Sequence, residues 1–224
     1  MKYVIDGSRV SYLDDYYFNK PQPMPEADAA SFQSVGDWFA KDRRHVFFLY
    51  RVVEGADPDS FAVLGGYNSH WAKDKARAYY FSPSKAAGNM WPIESESLDS
   101  FEILPNGKFA EYARDREAIY YFGKRVRGAD AATFAILPSD RMGEVADAYS
   151  YHFAKDAKRI YFDGKPLKDA DYASFKVVHA PGTGNREYGV DVAAAYYKSP
   201  HTGKPARISH DDLPPPIREH LERV

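Results

Sequence analysis

The chain has 224 residues, 44% of them apolar and 16% aromatic, with a formal net charge of −2 and no cysteine. That composition supports a core and excludes a disordered chain, and the charge gives no reason to expect a nucleic-acid partner. Without disulfides, a run near the ~20 apolar residues that span a bilayer or an apolar secretory core at the N-terminus, a cytoplasmic protein away from the membrane is expected.

In chain order, residues 3–10 resemble residues 160–167, so the chain is read as opening part-way through a repeating unit. A degenerate start covers 1–36 and includes Tyr16, Tyr17 and Phe18, a Pro-rich loop, then Ala27-Asp28 and Ser31-Phe32. Clear units follow at about 37–66, 67–107, 108–140 and 147–180, then a degenerate unit at 186–216. The tail, 217–224, is predicted to form a short helix, since Pro216 can precede one. One continuous domain, 1–224, is expected.

The repeat is carried by fixed offsets. Asp42, Asp74, Asp115, Asp156 and Asp191 are each followed five residues later by an aromatic pair: Phe47-Phe48, Tyr79-Tyr80, Tyr120-Tyr121, Tyr161-Phe162 and Tyr196-Tyr197. An aromatic stands three residues before each Asp, and Ala or Gly two before it. This self-similarity, at a period of roughly 30 to 40 residues, marks a repeat architecture. An Asp side chain accepts a backbone N–H two residues on and opens tight turns. The flanking aromatic and β-branched residues suit strands, so each Asp is read as a structural turn residue within a hairpin. Alternation places Val46 with Phe48 on one face and Phe47 on the other, so the strands should be covered on both sides. A four-residue turn is expected to put Ala72 near Tyr80.

The second half of each phrase is as regular. In three copies 13 residues separate the aromatic pair from the next Phe: Phe48 to Phe61, Tyr121 to Phe134 and Phe162 to Phe175. Between them lies Gly-Ala-Asp or Asp-Ala-Asp, with Ser or Thr directly before the Phe, which reads as a capped turn feeding a strand. Each unit is thus expected to hold about three short strands. The fold class is all-β: a tandem repeat of short antiparallel strands, a meander forming a propeller-like ring or an elongated twisted array.

Irregular stretches locate candidate partner-binding loops, because loops on a rigid scaffold carry binding. They are 84–91 with Lys85, Asn89, Met90 and Trp91; 138–143 with Arg141 and Met142; and 179–185 with His179 and Asn185, followed by Arg186. No catalytic constellation stands out. The seven His residues show no metal-ligand spacing, and the repeated Asp residues lack the density of a calcium loop. There is no nucleophile elbow and no Cys nucleophile. Neither a metal nor a cofactor is expected, and an enzyme is not.

Asp74-Lys75-Ala76-Arg77-Ala78-Tyr79-Tyr80 and its sister copies resemble the repeat of the DKNYY family, over roughly residues 37–200. The family's Asn is replaced by Arg44, Ala76, Glu117, Lys158 and Ala193. The resemblance implies a bacterial protein of a family of unknown function, and it transfers no catalytic residue. The expectation is a non-enzymatic protein-binding scaffold, with a bacterial immunity protein that neutralises a cognate toxin as its particular form. The alternatives are a glycan or small-ligand module using exposed aromatics such as Trp91, and a hydrolase whose site is assembled from several copies.

Overall fold

The turn aspartate fixes each hairpin. In the computed structural model, Asp42 Oδ1 accepts the N–H groups of Arg44 and His45, both at 2.7 Å. Asp74 does the same for Ala76 and Arg77, Asp156 for Lys158 and Arg159, and Asp191 for Ala193 and Ala194, all between 2.7 and 2.9 Å. Each turn is closed by the Asp N–H donating to the carbonyl three residues on, as in Asp74 to Arg77 at 3.0 Å. That closure pairs 74 with 77, so Ala72 lies opposite Tyr79 and Trp71 opposite Tyr80. The expected pairing of Ala72 with Tyr80 is corrected by one residue, which exchanges the faces.

The structure describes residues 2–13, 20–36, 38–65, 69–82, 89–95, 97–104, 111–140, 149–179 and 186–223, with the side chains of 82, 89–91, 149 and 151 left aside. A four-stranded plan recurs among them. In Gln33–Ser34, Phe39–Lys41, Val46–Phe48 and Arg51–Val52, the two middle strands are the Asp42 hairpin. The second sheet is Ala62–Leu64, Trp71–Lys73, Ala78–Ser82 and Asn89–Ile93, and the third is Glu102–Leu104, Tyr112–Arg114, Ile119–Tyr121 and Lys124–Arg125. The same order holds in Ala135–Asp140, Tyr149–Lys155, Ile160–Phe162 and Lys165–Pro166, and in Lys176–His179, Glu187–Val190, Ala195–Lys198 and Pro205–Ile208. The leading strand of each of these five four-strand sets is the end of the preceding phrase, just after its Phe.

The fourth strand was not foreseen from the sequence. It is only two residues long at 51–52, 124–125 and 165–166, too short for alternation to register. Its turn is the visible signal: Phe122 (φ 47°) with Gly123 (φ 74°), and Asp163 (φ 47°) with Gly164 (φ 71°), adopt paired left-handed conformations typical of two-residue hairpin loops. The first hairpin, Tyr3–Asp6 with Arg9–Tyr12, pairs Asp6 with Arg9. That hairpin has Asp6 at its turn, and with Gln22–Pro23 it forms a three-stranded sheet.

The last two sheets join through a parallel pair, Ser139 with Val177 and Asp140 with Val178, giving eight strands. This pair departs from an antiparallel meander.

The chain divides into two compact units. The first is Met1–Ile103 with Ala113–Arg116 and Phe122–Lys124, and the second is Leu104–Tyr112 with Glu117–Tyr121 and Arg125–Val224. In the first, Phe81 lies 4.4 Å from Phe39 and 4.6 Å from Phe48, ring centre to ring centre. In the second, Phe134 meets Tyr112 and Tyr161, each at 5.4 Å. Val46, Phe47 and Phe48 are all buried, so both faces of that strand are covered. The helix Pro215–Arg223 adds Ile217 to a cluster with Val178, Tyr188 and Leu213.

Candidate functional site

Within each sheet the Asp turn occupies one end and the longer connections the other. At the turn end the chemistry is internal. Asp74 Oδ2 accepts the Tyr79 hydroxyl at 2.6 Å and the Asp57 N–H at 3.0 Å. Asp156 takes Tyr161 at 2.6 Å and the Asp130 N–H at 3.2 Å, and Asp42 and Asp191 take the N–H groups of Asp28 and Asp171, both at 2.8 Å. Asp115 receives the Ser95 hydroxyl at 2.5 Å. The Ser/Thr of the Gly-Ala-Asp element completes the link. Thr133 donates to Asp130 at 2.8 Å and accepts the Ala157 N–H at 3.0 Å. Ser174 does so between Asp171 and Val192, and Ser60 between Asp57 and Lys75. Burial disfavours the ionised carboxyls of Asp42, Asp74, Asp156 and Asp191, but the N–H and hydroxyl donors outweigh it and hold them below the usual carboxylate range.

The opposite end carries a different cluster in the second unit. The parallel pair points the last two sheets the same way, so the strand ends at 140, 149, 162, 165, 179, 187, 198 and 205 share one end. There Asp163 Oδ1 meets His152 Nδ1 at 2.8 Å and accepts the Tyr121 hydroxyl at 3.0 Å, while Asp163 Oδ2 faces Lys198 Nζ at 3.0 Å. Tyr112 accepts the Gly164 N–H at 2.8 Å. Burial works against the Asp163 carboxylate, yet the hydrogen bond and charge of His152, with Lys198, keep its pKa below the usual value. Glu111 beside it is pushed up, first by burial and then by the Asp163 charge. Burial, and then the Asp163 charge, also raises the Tyr121 hydroxyl.

His152 and Lys198 line a pocket of about 310 Å³ together with Arg186, Glu187 and Ser199. Glu187 is buried and accepts the Ser150 hydroxyl at 2.8 Å. Because Asp163 occupies Nδ1 of His152, Nε2 is the ring nitrogen left for other contacts. The arrangement offers cationic donors, an oriented imidazole and a hydroxyl in one depression. Among the described residues, no three His, Asp or Glu side chains are gathered in a way that would hold a metal ion.

Of the residues the sequence singled out, Arg186 is exposed at this pocket. His179 lies near it in chain order but is buried at the end of a strand, where it offers a partner no exposed contact. Asn89, Met90 and Trp91 are in a strand pairing with 78–82, and their side chains lie outside the described residues. Lys85, Arg141, Met142 and Asn185 also lie outside the described residues. Sequence reasoning missed Asp163, His152 and Lys198. The available signal was Asp163 itself, an acid where the equivalent left-handed positions hold Leu49 and Phe122.

Fold and turns together define an all-β tandem-repeat protein in which each phrase supplies a hairpin to its own sheet and a leading strand to the next. The model of the DKNYY family matches residues 3–83 of this chain. No curated protein and no solved structure matches it.

Proposed function

We propose that this chain is a non-enzymatic, cytoplasmic scaffold that binds another protein through the loop-bearing end of its last sheets, and within that class an immunity protein that neutralises a bacterial toxin. The observation that carries this reading is the pocket around Asp163. Asp163 anchors Lys198 and His152, and exposed Arg186 adds a donor suited to a partner carboxylate. The repeated acids at the other end are engaged within their own turns, which leaves the connecting end as the place where copies differ.

The test is titration calorimetry against the toxin-like product of the neighbouring reading frame. Arg186→Ala and Lys198→Ala should each weaken binding by about tenfold, with the fold intact by circular dichroism. Unchanged affinity overturns the placement of the site, and no binding by the native chain overturns the reading.

One observation favours a second reading, a hydrolase assembled across copies: Asp163 orients His152 in a pocket that Ser199 also lines. It requires turnover of an ester or phosphodiester that is lost in His152→Gln.

A further inference from the structure

We propose that the cleft between the strands Ala135–Asp140 and Lys176–His179 binds a small organic acid, an apolar body carrying one carboxylate. The cleft follows from how the two strands meet. Ala135 and Ile136 pair with Lys155 and Ala154, and the register then shifts before Pro138 meets Tyr149. A shift of this kind bends the strand. On its other side the same strand runs parallel to Lys176–His179, but pairs only Ser139 with Val177 and Asp140 with Val178. Continued backward, that register would bring Pro138 to Lys176 and Leu137 to Phe175. Pro138 has no N–H to give the ladder, and the pairing stops there, so the two strands part toward the end that carries the Asp turns.

Where they part lies a depression of about 390 Å³, within the size range of small-molecule sites. Leu137 and Ser139 line it from one strand, Phe175 and Val177 from the other, and Lys155 and Lys176 line it as well.

Three observations point to an occupant and to its chemistry. Ser139 is only 5% exposed, and its hydroxyl has no hydrogen-bond partner among the described residues. Buried hydroxyls are nearly always bonded, so this one is placed to bond a group that enters the cleft. Phe175 is only half-buried, whereas its counterparts Phe61, Phe101 and Phe134 are buried, so apolar ring surface is left for a ligand to cover. Lys155 and Lys176 are exposed and form no ion pair among the described residues, although the Lys155 ammonium lies 5.8 Å from the centre of the Tyr172 ring. Asp140, the acid that lines the cleft, is bonded to His220 Nε2 at 2.7 Å. Apolar side chains and a hydroxyl inside, with two ammonium groups at the mouth, fit an apolar body whose carboxylate takes charge-assisted hydrogen bonds from the lysines.

The probe is phenylpropionate, titrated calorimetrically into the full chain. The expected result is saturable binding of one molecule per chain, with amide NMR shifts centred on Ser139, Phe175 and Lys176. Phenylpropanol lacks the charge and acetate lacks the apolar body, and each should bind at least about tenfold more weakly. The double variant Lys155→Met with Lys176→Met changes only exposed side chains and should weaken phenylpropionate binding at least about tenfold. Ser139→Ala should weaken it several-fold, and circular dichroism should stay native in both. Absence of saturable binding, shifts centred elsewhere, or undiminished affinity in either folded variant overturns the proposal. Acetate bound as tightly as phenylpropionate makes the cleft a site for simple anions, and phenylpropanol bound as tightly makes it a site for neutral apolar molecules; either result overturns the occupant named here.

Discussion

Tyr79 and Asp74 meet across their own turn, with the hydroxyl donating to Oδ2 at 2.6 Å. Tyr161 and Asp156 repeat the contact at the same distance, whereas Phe47 stands in that place beside Asp42. The bond ties the ring that packs the core to the carboxylate that shapes the turn. Tyr79→Phe keeps the ring and removes only the bond, so urea denaturation should register a loss of about 2 kcal/mol, the range for hydrogen bonds to charged groups. Asp74→Ala leaves three N–H groups and the hydroxyl without their acceptor and should cost about 4 kcal/mol. Equal losses for the two variants would show that the carboxylate contributes nothing beyond the tyrosine bond.

The same carboxylates predict how stability depends on pH. Asp42, Asp74, Asp156 and Asp191, and Asp163 at the opposite end, have folded pKa values below the ordinary one. As pH falls the unfolded chain takes up protons first, at about pH 4, and draws the equilibrium toward itself. Their contribution is therefore fully present above the unfolded pKa and is lost as pH falls through the folded values. Urea midpoints measured from pH 7 to pH 3 should decline below about pH 4, with a shallower decline in Asp74→Asn. A midpoint independent of pH across that range contradicts the turn geometry.

The periodic parts of the fold were the parts legible in the sequence. The Asp, aromatic-pair and Ser/Thr-Phe offsets identify strands because each copy solves the same local problem, an Asp taking the next N–H groups, and repetition averages out the exceptions. What stayed hidden depends on pairing across copies. The link between Thr133 and Ala157 spans 24 residues, and nothing local to Thr133 names the N–H that its hydroxyl accepts. The parallel pairing of Ser139 with Val177 follows two unequal connections. The cluster at Asp163 rests on departures from the repeat, Asp163 and Lys198 standing where Leu49, Phe81 and Phe122 stand in the other copies, so a reading based on recurrence passes over it.

Asp163 has to serve three partners while holding a left-handed backbone (φ 47°). Asn tolerates that conformation and accepts one of the bonds, so Asp163→Asn should cost about 1–2 kcal/mol. Asp163→Leu restores the residue type found at Leu49 but leaves the Lys198 cation and the Tyr121 hydroxyl facing an apolar group. It should cost about 3 kcal/mol or more. Thermal unfolding of both variants checks the order, and a leucine variant as stable as the native chain would show that the cluster is dispensable to the fold.

Gly164 and Gly7 are both left-handed, with φ of 71° and 58°, but their surroundings differ. A Cβ on Gly7 has nothing within 4 Å, whereas one on Gly164 falls 2.7 Å from Tyr121 Cβ and Cγ. Gly7→Ala therefore carries only the backbone term, about 1 kcal/mol. Gly164→Ala adds a collision with a ring that cannot retreat freely, because the Tyr121 hydroxyl is bonded to Asp163 and the ring packs 4.7 Å from Tyr112. Overpacking of this kind adds about 1–3 kcal/mol, so the urea midpoint should fall clearly further for Gly164→Ala than for Gly7→Ala. In the double variant Gly164→Ala with Tyr121→Ala the collision is removed, and the glycine substitution should then cost no more than it does at Gly7. If the penalty at Gly164 persists without the ring, the backbone alone demands glycine there and the tyrosine is not its cause.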